Sequence, residues 1–222
     1  MADGGRLPEA ALLESLDAVY RLSREGSATV ALLAKRLHLE EDVAKSRVRD
    51  LEGRGLVRAE PPDRLVLTKE GERIALGLVR RHRLLERFLA DTLGLPWHRV
   101  HDEATRLTPV LADDIADALS KHLGAPATCP HGNPIPASDG TLSAEEGTPL
   151  HRLHAGQGGT IVRIEREEPE LLKLLAALGL LPETRVEVEE VAPFGGPILV
   201  KSAGSRYALG RKVAAHIFVR GG

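Results

Sequence analysis

Apolar residues recur at helical spacing through residue 123 and alternate with polar ones from residue 159 onward, so no fold of a single periodicity accommodates the chain. Between the two regimes, residues 126–149 are rich in Pro, Gly, Ser and Thr. The expected fold class is therefore a mainly α N-terminal part followed by a small β-barrel. A length of 222 residues suits such a division. Aromatic residues make up only 3%, so both cores must be built from Leu, Val, Ala and Ile. No apolar run is long enough to span a bilayer, the first five residues lack a signal-peptide pattern, and one cysteine forms no internal disulfide. These features point to a cytoplasmic protein without a membrane partner. A net charge of −2 confines any nucleic-acid binding to a local basic surface.

Residues 9–24 form a helix with Leu12, Leu13, Leu16, Val19, Tyr20 and Leu22 on its apolar side. Thr29 is placed to cap a second short helix ending at Leu37. After a turn at residues 38–42, Val43 to Gly53 predicts a third helix that buries Ala44, Val48 and Leu51 and exposes Lys45, Ser46, Arg47 and Arg49. Leu56–Ala59 and Leu65–Leu67 alternate around Pro61-Pro62-Asp63-Arg64 as a two-stranded wing. Residues 35–69 hold nine basic against seven acidic side chains. So small an excess makes segregation decisive, and the acids gather at helix ends while the bases face outward. The ordered set is a winged helix-turn-helix.

Thr68 then caps a long helix, to about Leu93, that carries His82 and Glu86. Four residues apart, these share one helix face with Leu78, Leu85 and Leu89. A second helix from Trp97 carries His101 and meets Pro109, which should end or kink it. Two imidazoles and a carboxylate suit a divalent Fe, Mn, Zn or Co ion; the same spacing also fits two helix-packing histidines. A further amphipathic helix spans residues 113–123. Cys129 and His131 read as a structural turn with a tucked-away thiol, and residues 138–147 as a mobile linker. Five short strands and one helix, Pro169 to Leu178, complete a small SH3-like barrel.

Arg81-His82-Arg83-Leu84-Leu85-Glu86, Val100-His101-Asp102-Glu103-Ala104 and Cys129-Pro130-His131-Gly132-Asn133-Pro134-Ile135-Pro136 together resemble the diphtheria toxin repressor family of iron- and manganese-dependent transcriptional regulators. The barrel, with Leu178-Gly179-Leu180-Leu181-Pro182 and Pro193-Phe194-Gly195-Gly196-Pro197, looks like the domain shared with the ferrous-transport accessory protein FeoA. The resemblance covers nearly the whole chain. It implies an ancillary metal site of His82, Glu86 and His101, completed by barrel carboxylates for which Glu168 and Glu170 are the candidates, a slip of one or two residues bringing in Glu167. The family's primary site draws on a Cys-or-Glu-x-x-Glu-His run, replaced here by Thr105-Arg106-Leu107-Thr108-Pro109. Glu14 and Asp17 fall where manganese-type members place two acids.

The organisation that follows is residues 1–72 for DNA binding, 73–126 for metal binding and dimerisation, 127–148 as linker and 149–222 as the FeoA-like domain. The resemblance implies a homodimeric repressor, not an enzyme, bound to a palindromic double-stranded operator and activated by Mn2+ or Fe2+, with Co2+ or Zn2+ accepted in vitro. Asp42, Ser46 and Arg47 would read bases, while Lys45, Arg49 and the wing's Arg64 would hold phosphates. The alternative is a DNA-binding dimer of the same fold that no metal switches, because the primary ligands are missing.

Overall fold

The computed structural model describes residues 7–221, and the first five residues, read above for a leader, lie outside it. The chain divides into two compact units, residues 7–81 with 107–116 and 136–141, and residues 82–106 with 117–135 and 142–221.

The first unit opens with α1 (Glu9–Arg24), α2 (Val30–Leu37) and α3 (Glu41–Gly53), followed by the hairpin of β1 (Val57–Glu60) and β2 (Arg64–Leu67). Thr29 caps α2 as its composition predicts, its hydroxyl accepting from the Leu32 amide at 3.2 Å. The hairpin is antiparallel, with Val57 opposite Leu67 and Glu60 opposite Arg64. Leu12, Leu16, Leu33, Val48, Leu51, Leu56 and Leu65 form one core with Ala75 and Val79 of α4 (Lys69–Asp91). Thr68 starts α4 by accepting from the Gly71 amide, while its hydroxyl donates to the Gly55 carbonyl at 2.7 Å. Gly71 is required there: a Cβ would lie 1.9 Å from the Leu56 carbonyl oxygen.

α4 is continuous across the division at residues 81 and 82. α5 (Val100–Leu107) stops just before Pro109, where Thr108–Val110 tightens into a single 3-10 turn, and α6 (Asp113–His122) follows. In the second unit, β3 (Thr148–Pro149), β4 (Gly158–Ile164), α7 (Pro169–Ala177), β5 (Arg185–Val191), β6 (Ile198–Ser202), β7 (Ser205–Leu209), α8 (Arg211–Ala214) and β8 (Ile217–Gly221) make one antiparallel sheet with two helices. Strand order is β3-β8-β4-β5-β6-β7. The expected barrel is thus an open, SH3-like sheet: β3 has two residues and offers too few backbone groups for closure. Alternation places Ile161, Val186, Val188, Ile198 and Val200 on its inner face against Leu172 and Leu175 of α7.

The expected linker is only partly one. Residues 128–134 form a buried strap: Cys129 accepts from the Gly132 amide and donates to the Asn133 carbonyl, both at 2.9 Å. Its Gly132, at φ +85°, lies so close to β4 that a Cβ would meet the Val162 carbonyl oxygen at 2.0 Å. Residues 137–141 close a turn of their own, with Ala137 donating to the Thr141 carbonyl at 2.8 Å.

Candidate metal centre

His82 and Glu86 leave α4 on one face, as four-residue spacing dictates, and α5 brings His101 to them. His82 Nε2 lies 3.0 Å from Glu86 Oε1 and 3.1 Å from His101 Nδ1, and His101 Nδ1 lies 3.0 Å from Glu86 Oε1. The fourth member is Glu167, whose Oε2 stands 2.8 Å from His101 Nδ1. His101 Nδ1 thus has three ligand-type atoms at 2.8–3.1 Å, yet it carries at most one hydrogen for these neighbours. Edges of about 3.0 Å are those of an octahedron with bonds of about 2.1 Å.

A second group shares the same two carboxylates. His131 Nδ1 is 3.5 Å from Glu86 Oε1 and 3.5 Å from Glu167 Oε1, and Cys129 Sγ is 3.9 Å from both His131 Nδ1 and Glu167 Oε1. Each group gathers its ligand atoms within 4.8 Å. The remaining oxygen, Glu86 Oε2, is buried without a hydrogen-bond partner among the described residues. An orphaned buried carboxylate oxygen amid imidazoles and a thiol fits a cation and is costly without one.

The strap is held by named contacts. Arg87 donates to the Thr128 carbonyl at 2.8 and 3.0 Å and to the Cys129 carbonyl at 3.2 Å, and Arg83 donates to the Pro134 carbonyl. His131 Nε2 donates to the Trp97 carbonyl at 3.2 Å, which leaves Nδ1 free for the cluster, and the Trp97 ring stands 4.9 Å from the imidazole. Asn133 Nδ2 donates to Glu167 Oε1 at 2.6 Å and to the Ile164 carbonyl at 3.1 Å, tying strap and carboxylate to the end of β4.

Burial acts to raise Glu86, but the His82 and His131 charges and hydrogen bonds from His101 and His131 outweigh it and hold the carboxyl well below its usual range. Burial and the Glu86 charge oppose ionisation of Glu167, yet His101 and His131 keep it low as well. His101 is driven the other way: burial disfavours its cation, and Glu167 and Glu86 overcome that to raise it to about 9. His131 is raised well above its usual value against burial, chiefly by the Glu86 charge. Burial, then the Glu86 charge, pushes the Cys129 thiol up to about 11. Protons thus occupy the His101 and His131 imidazoles whenever no cation does.

Sequence reasoning placed His82, Glu86 and His101 here, admitted Glu167 only as a slip from Glu168, and missed Cys129 and His131. Glu168 and Glu170 do not join the cluster: Glu168 precedes α7 and pairs with Arg166 at 2.7 Å, while Glu170 pairs with Lys173 at 2.8 Å, both exposed. Glu167 occupies the position expected for them. Cys129 and His131, read as a bare structural turn, line the cluster. Glu14 and Asp17 are engaged by arginines, Arg47 at 2.8 Å and Arg21 at 2.7 Å, and belong to neither group.

Of the DNA-binding candidates, Asp42, Lys45, Ser46, Arg49 and Arg64 are exposed. Lys45 is braced by Glu41 at 2.9 Å and Asp42 at 3.4 Å. Arg47 is not a free reader of bases; its guanidinium turns inward to Glu14 and to Ser15 Oγ at 3.2 Å. α3, expected from Val43, begins two residues earlier at Glu41, and Val43 is exposed on it.

A winged helix joined to a buried His, Glu and Cys cluster and an SH3-like sheet defines a metal-dependent transcriptional repressor. Residues 68–137 match the family described as iron dependent repressor, metal binding and dimerisation domain, and residues 148–221 match the FeoA domain. The chain is 33% identical over 198 residues to the iron-dependent repressor IdeR of Mycobacterium leprae, covering 83% of this chain and 86% of that protein. It is 38% identical over 169 residues to the diphtheria toxin repressor of Corynebacterium jeikeium, covering 72% and 70%. Among solved structures it is similar to a manganese-dependent transcriptional repressor in complex with manganese, at 32% identity and a TM-score of 0.87, covering 95% of this chain and 99% of that one. The chain belongs to the diphtheria toxin repressor family of metal-dependent transcriptional repressors, which are not enzymes.

Proposed function

We propose that this chain represses transcription as a cytoplasmic homodimer whose operator affinity rises when Mn2+ or Fe2+ binds its His82–Glu86–His101–Glu167 cluster. The observation that carries the reading is convergence: donors from α4, α5, the strap and the β4–α7 connection meet around a buried carboxylate oxygen with no partner. A cation there would supply the charge that the protons now provide and would tie α4, α5 and the β4–α7 connection together. α4 runs on into the winged-helix core through Ala75 and Val79, so a constraint on His82 and Glu86 bears on the DNA-binding unit. Co2+ and Zn2+ suit the same donors, and thiolate participation would favour them.

Leu107, Val110 and Ile115, exposed at 42%, 78% and 49%, are the apolar surface assigned to the second copy. A two-fold dimer fits a palindromic operator. Ser46 and Asp42 are assigned to bases, Arg49, Lys45 and Arg64 to phosphates, and Arg47 to the support of α1. The division at residues 72 and 126 is retained, with residues 127–135 reckoned to the metal centre rather than to a linker.

A second reading, a dimer that no metal switches, draws on Thr105, Thr108 and Pro109 standing where the family's primary ligands belong and on the arginines engaging Glu14 and Asp17. Operator binding measured with Mn2+, Fe2+, Co2+, Zn2+ and a chelator decides between them. Metal-stimulated binding lost in Glu86→Gln supports the first reading; equal binding with chelator and metal establishes the second.

A further inference from the structure

The core keeps α3 in place without fixing its roll. Val48 and Leu51 are its contacts to the buried cluster, and apolar contact has no direction of its own. Side-chain atoms lie about 5–6 Å from a helix axis, so a roll of about 20° moves them by about 2 Å, enough to break a hydrogen bond to a base edge. Directional contacts to α1 supply what the core does not. Arg47 Nη1 donates to Glu14 Oε2 at 2.8 Å and to Ser15 Oγ at 3.2 Å. Two turns further, at the end of α3, Arg54 Nη1 donates to Glu9 Oε2 at 2.8 Å. The two rungs are unequal. Arg54 and Glu9 stand in water, where an ion pair contributes little. The Arg47 side chain is only 14% exposed, and Ser15 is fully buried on the apolar side of α1. Ser15 donates its own hydrogen to the Ala11 carbonyl at 2.8 Å, so its oxygen accepts from the guanidinium. Arg47 Nε is buried with no hydrogen-bond partner among the described residues. Packing alone would favour an aliphatic side chain there.

We propose that Glu14 and Ser15 are positioning residues for DNA recognition: through Arg47 they set the roll of α3, and with it the aim of Asp42 and Ser46. This rests on the reading that α3 meets the bases. Asp42 and Ser46 lie four residues apart on the exposed side of α3, and Arg47 anchors the flank next to them. The wing is steadied from the same helix, since Glu52 accepts from the Ala59 amide of β1 at 2.9 Å. Asp17 makes the contrast: it pairs with Arg21 of α1 itself at 2.7 Å and so ties α1 only to itself. A guanidinium keeps its charge across the physiological range, so the brace is in force whether the metal centre is full or empty.

Duplexes enriched by the full-length protein from a randomised pool with Mn2+ supply a specific probe, and a scrambled duplex of equal composition the non-specific one. Glu14→Gln should weaken the enriched duplex about tenfold, the scale of one misaligned base contact, and leave the scrambled duplex and the salt slope unchanged. Ser15→Ala should act in the same direction. Asp17→Asn, an equal change of charge on the same helix, should not. A general loss of folded protein lowers binding to both duplexes alike, so their ratio separates pose from stability. The reciprocal exchange, Glu14→Arg with Arg47→Glu, keeps the rung with its ends reversed and should restore the ratio that Arg47→Glu alone destroys. Equilibrium dialysis should show Mn2+ uptake unchanged in Glu14→Gln. An unchanged ratio in Glu14→Gln overturns the positioning role, as does an equal effect of Asp17→Asn. Tighter binding to both duplexes, with a salt slope steeper by about one, overturns it by showing Arg47 withheld from phosphates. An exchange no better than Arg47→Glu alone overturns it by making Arg47 itself the reader, and lost Mn2+ uptake by making Glu14 a metal ligand. A pool from which no duplex is enriched overturns the DNA-reading assignment beneath it.

Discussion

Lowering the pH from 7.5 to 6.5 should weaken metal binding far more than competition at ordinary histidines would. Without a cation, His101 titrates at about 9 and His131 well above its usual value, so both imidazoles carry protons throughout this range. A metal takes only the neutral ring, and each displaced proton contributes one power of ten in affinity per pH unit. Summed over the binding that empties both imidazoles, the loss is about a hundredfold per unit, roughly 2.7 kcal/mol. Where the Cys129 thiol, at about 11, also ligates, the loss approaches a thousandfold, roughly 4 kcal/mol. Titration calorimetry in buffers of different ionisation enthalpy counts the protons directly. The only tryptophan of the chain, Trp97, lies against His131 and gives an independent fluorescence readout. Release of fewer than one proton per ion, or an affinity changing by less than tenfold across the unit, would refute the paired-imidazolium account.

The metal-free protein should lose stability as pH rises. His101 is raised in the folded state from 6.5 to about 9, so its contribution, about 3 kcal/mol, is complete below pH 6.5 and gone above pH 9; urea unfolding that is flat across that window contradicts it. Arg87→Met should cost about ten- to a hundredfold in metal affinity by freeing the strap carbonyls, with little effect on far-ultraviolet circular dichroism. Gly132→Ala should destabilise the second unit by about 3 kcal/mol or more, because positive φ and the Val162 carbonyl both oppose a side chain, as thermal unfolding will register. Arg49→Ala and Arg64→Ala should weaken binding to every DNA sequence and each lower the salt slope by about one, whereas Arg47→Ala should act through stability instead; filter binding across salt concentrations separates these.

What could be read from the sequence followed regular periodicity. His82 and Glu86 fell on one helix face because 3.6 residues per turn fixes direction, and His101 followed from a short turn between helices. Glu167 was expected only as a slip from Glu168, since residues 165–168 join a strand to a helix and no period governs where they point. Its neighbour Glu168 precedes the helix in extended backbone and turns to Arg166. Cys129 and His131 were hidden for the same reason. The available signal was Gly132 between them and Asn133-Pro134, a residue that marks a close backbone approach, but only the fold shows that β4 is what approaches. On α1, the spacing of Glu14 and Asp17 was visible, whereas Arg21 and Arg47 decide what they meet. β3 and α8, two and four residues long, are too short for any pattern to emerge.

The strand order has a consequence for how such a protein is made. β8 follows every other element in the chain, yet it lies inside the sheet, between β3 and β4. Along Gly158–Ile164, β4 pairs with β8 on one edge, and its far end both seats Gly132 and launches Glu167. While the chain emerges from the ribosome, His82, Glu86, His101, Cys129 and His131 are all present well before the strand that steadies their last partner. Until β8 is made and paired, the donors exist without the strand that braces β4, so the sheet that steadies Glu167 is completed only after all six donors have been synthesised.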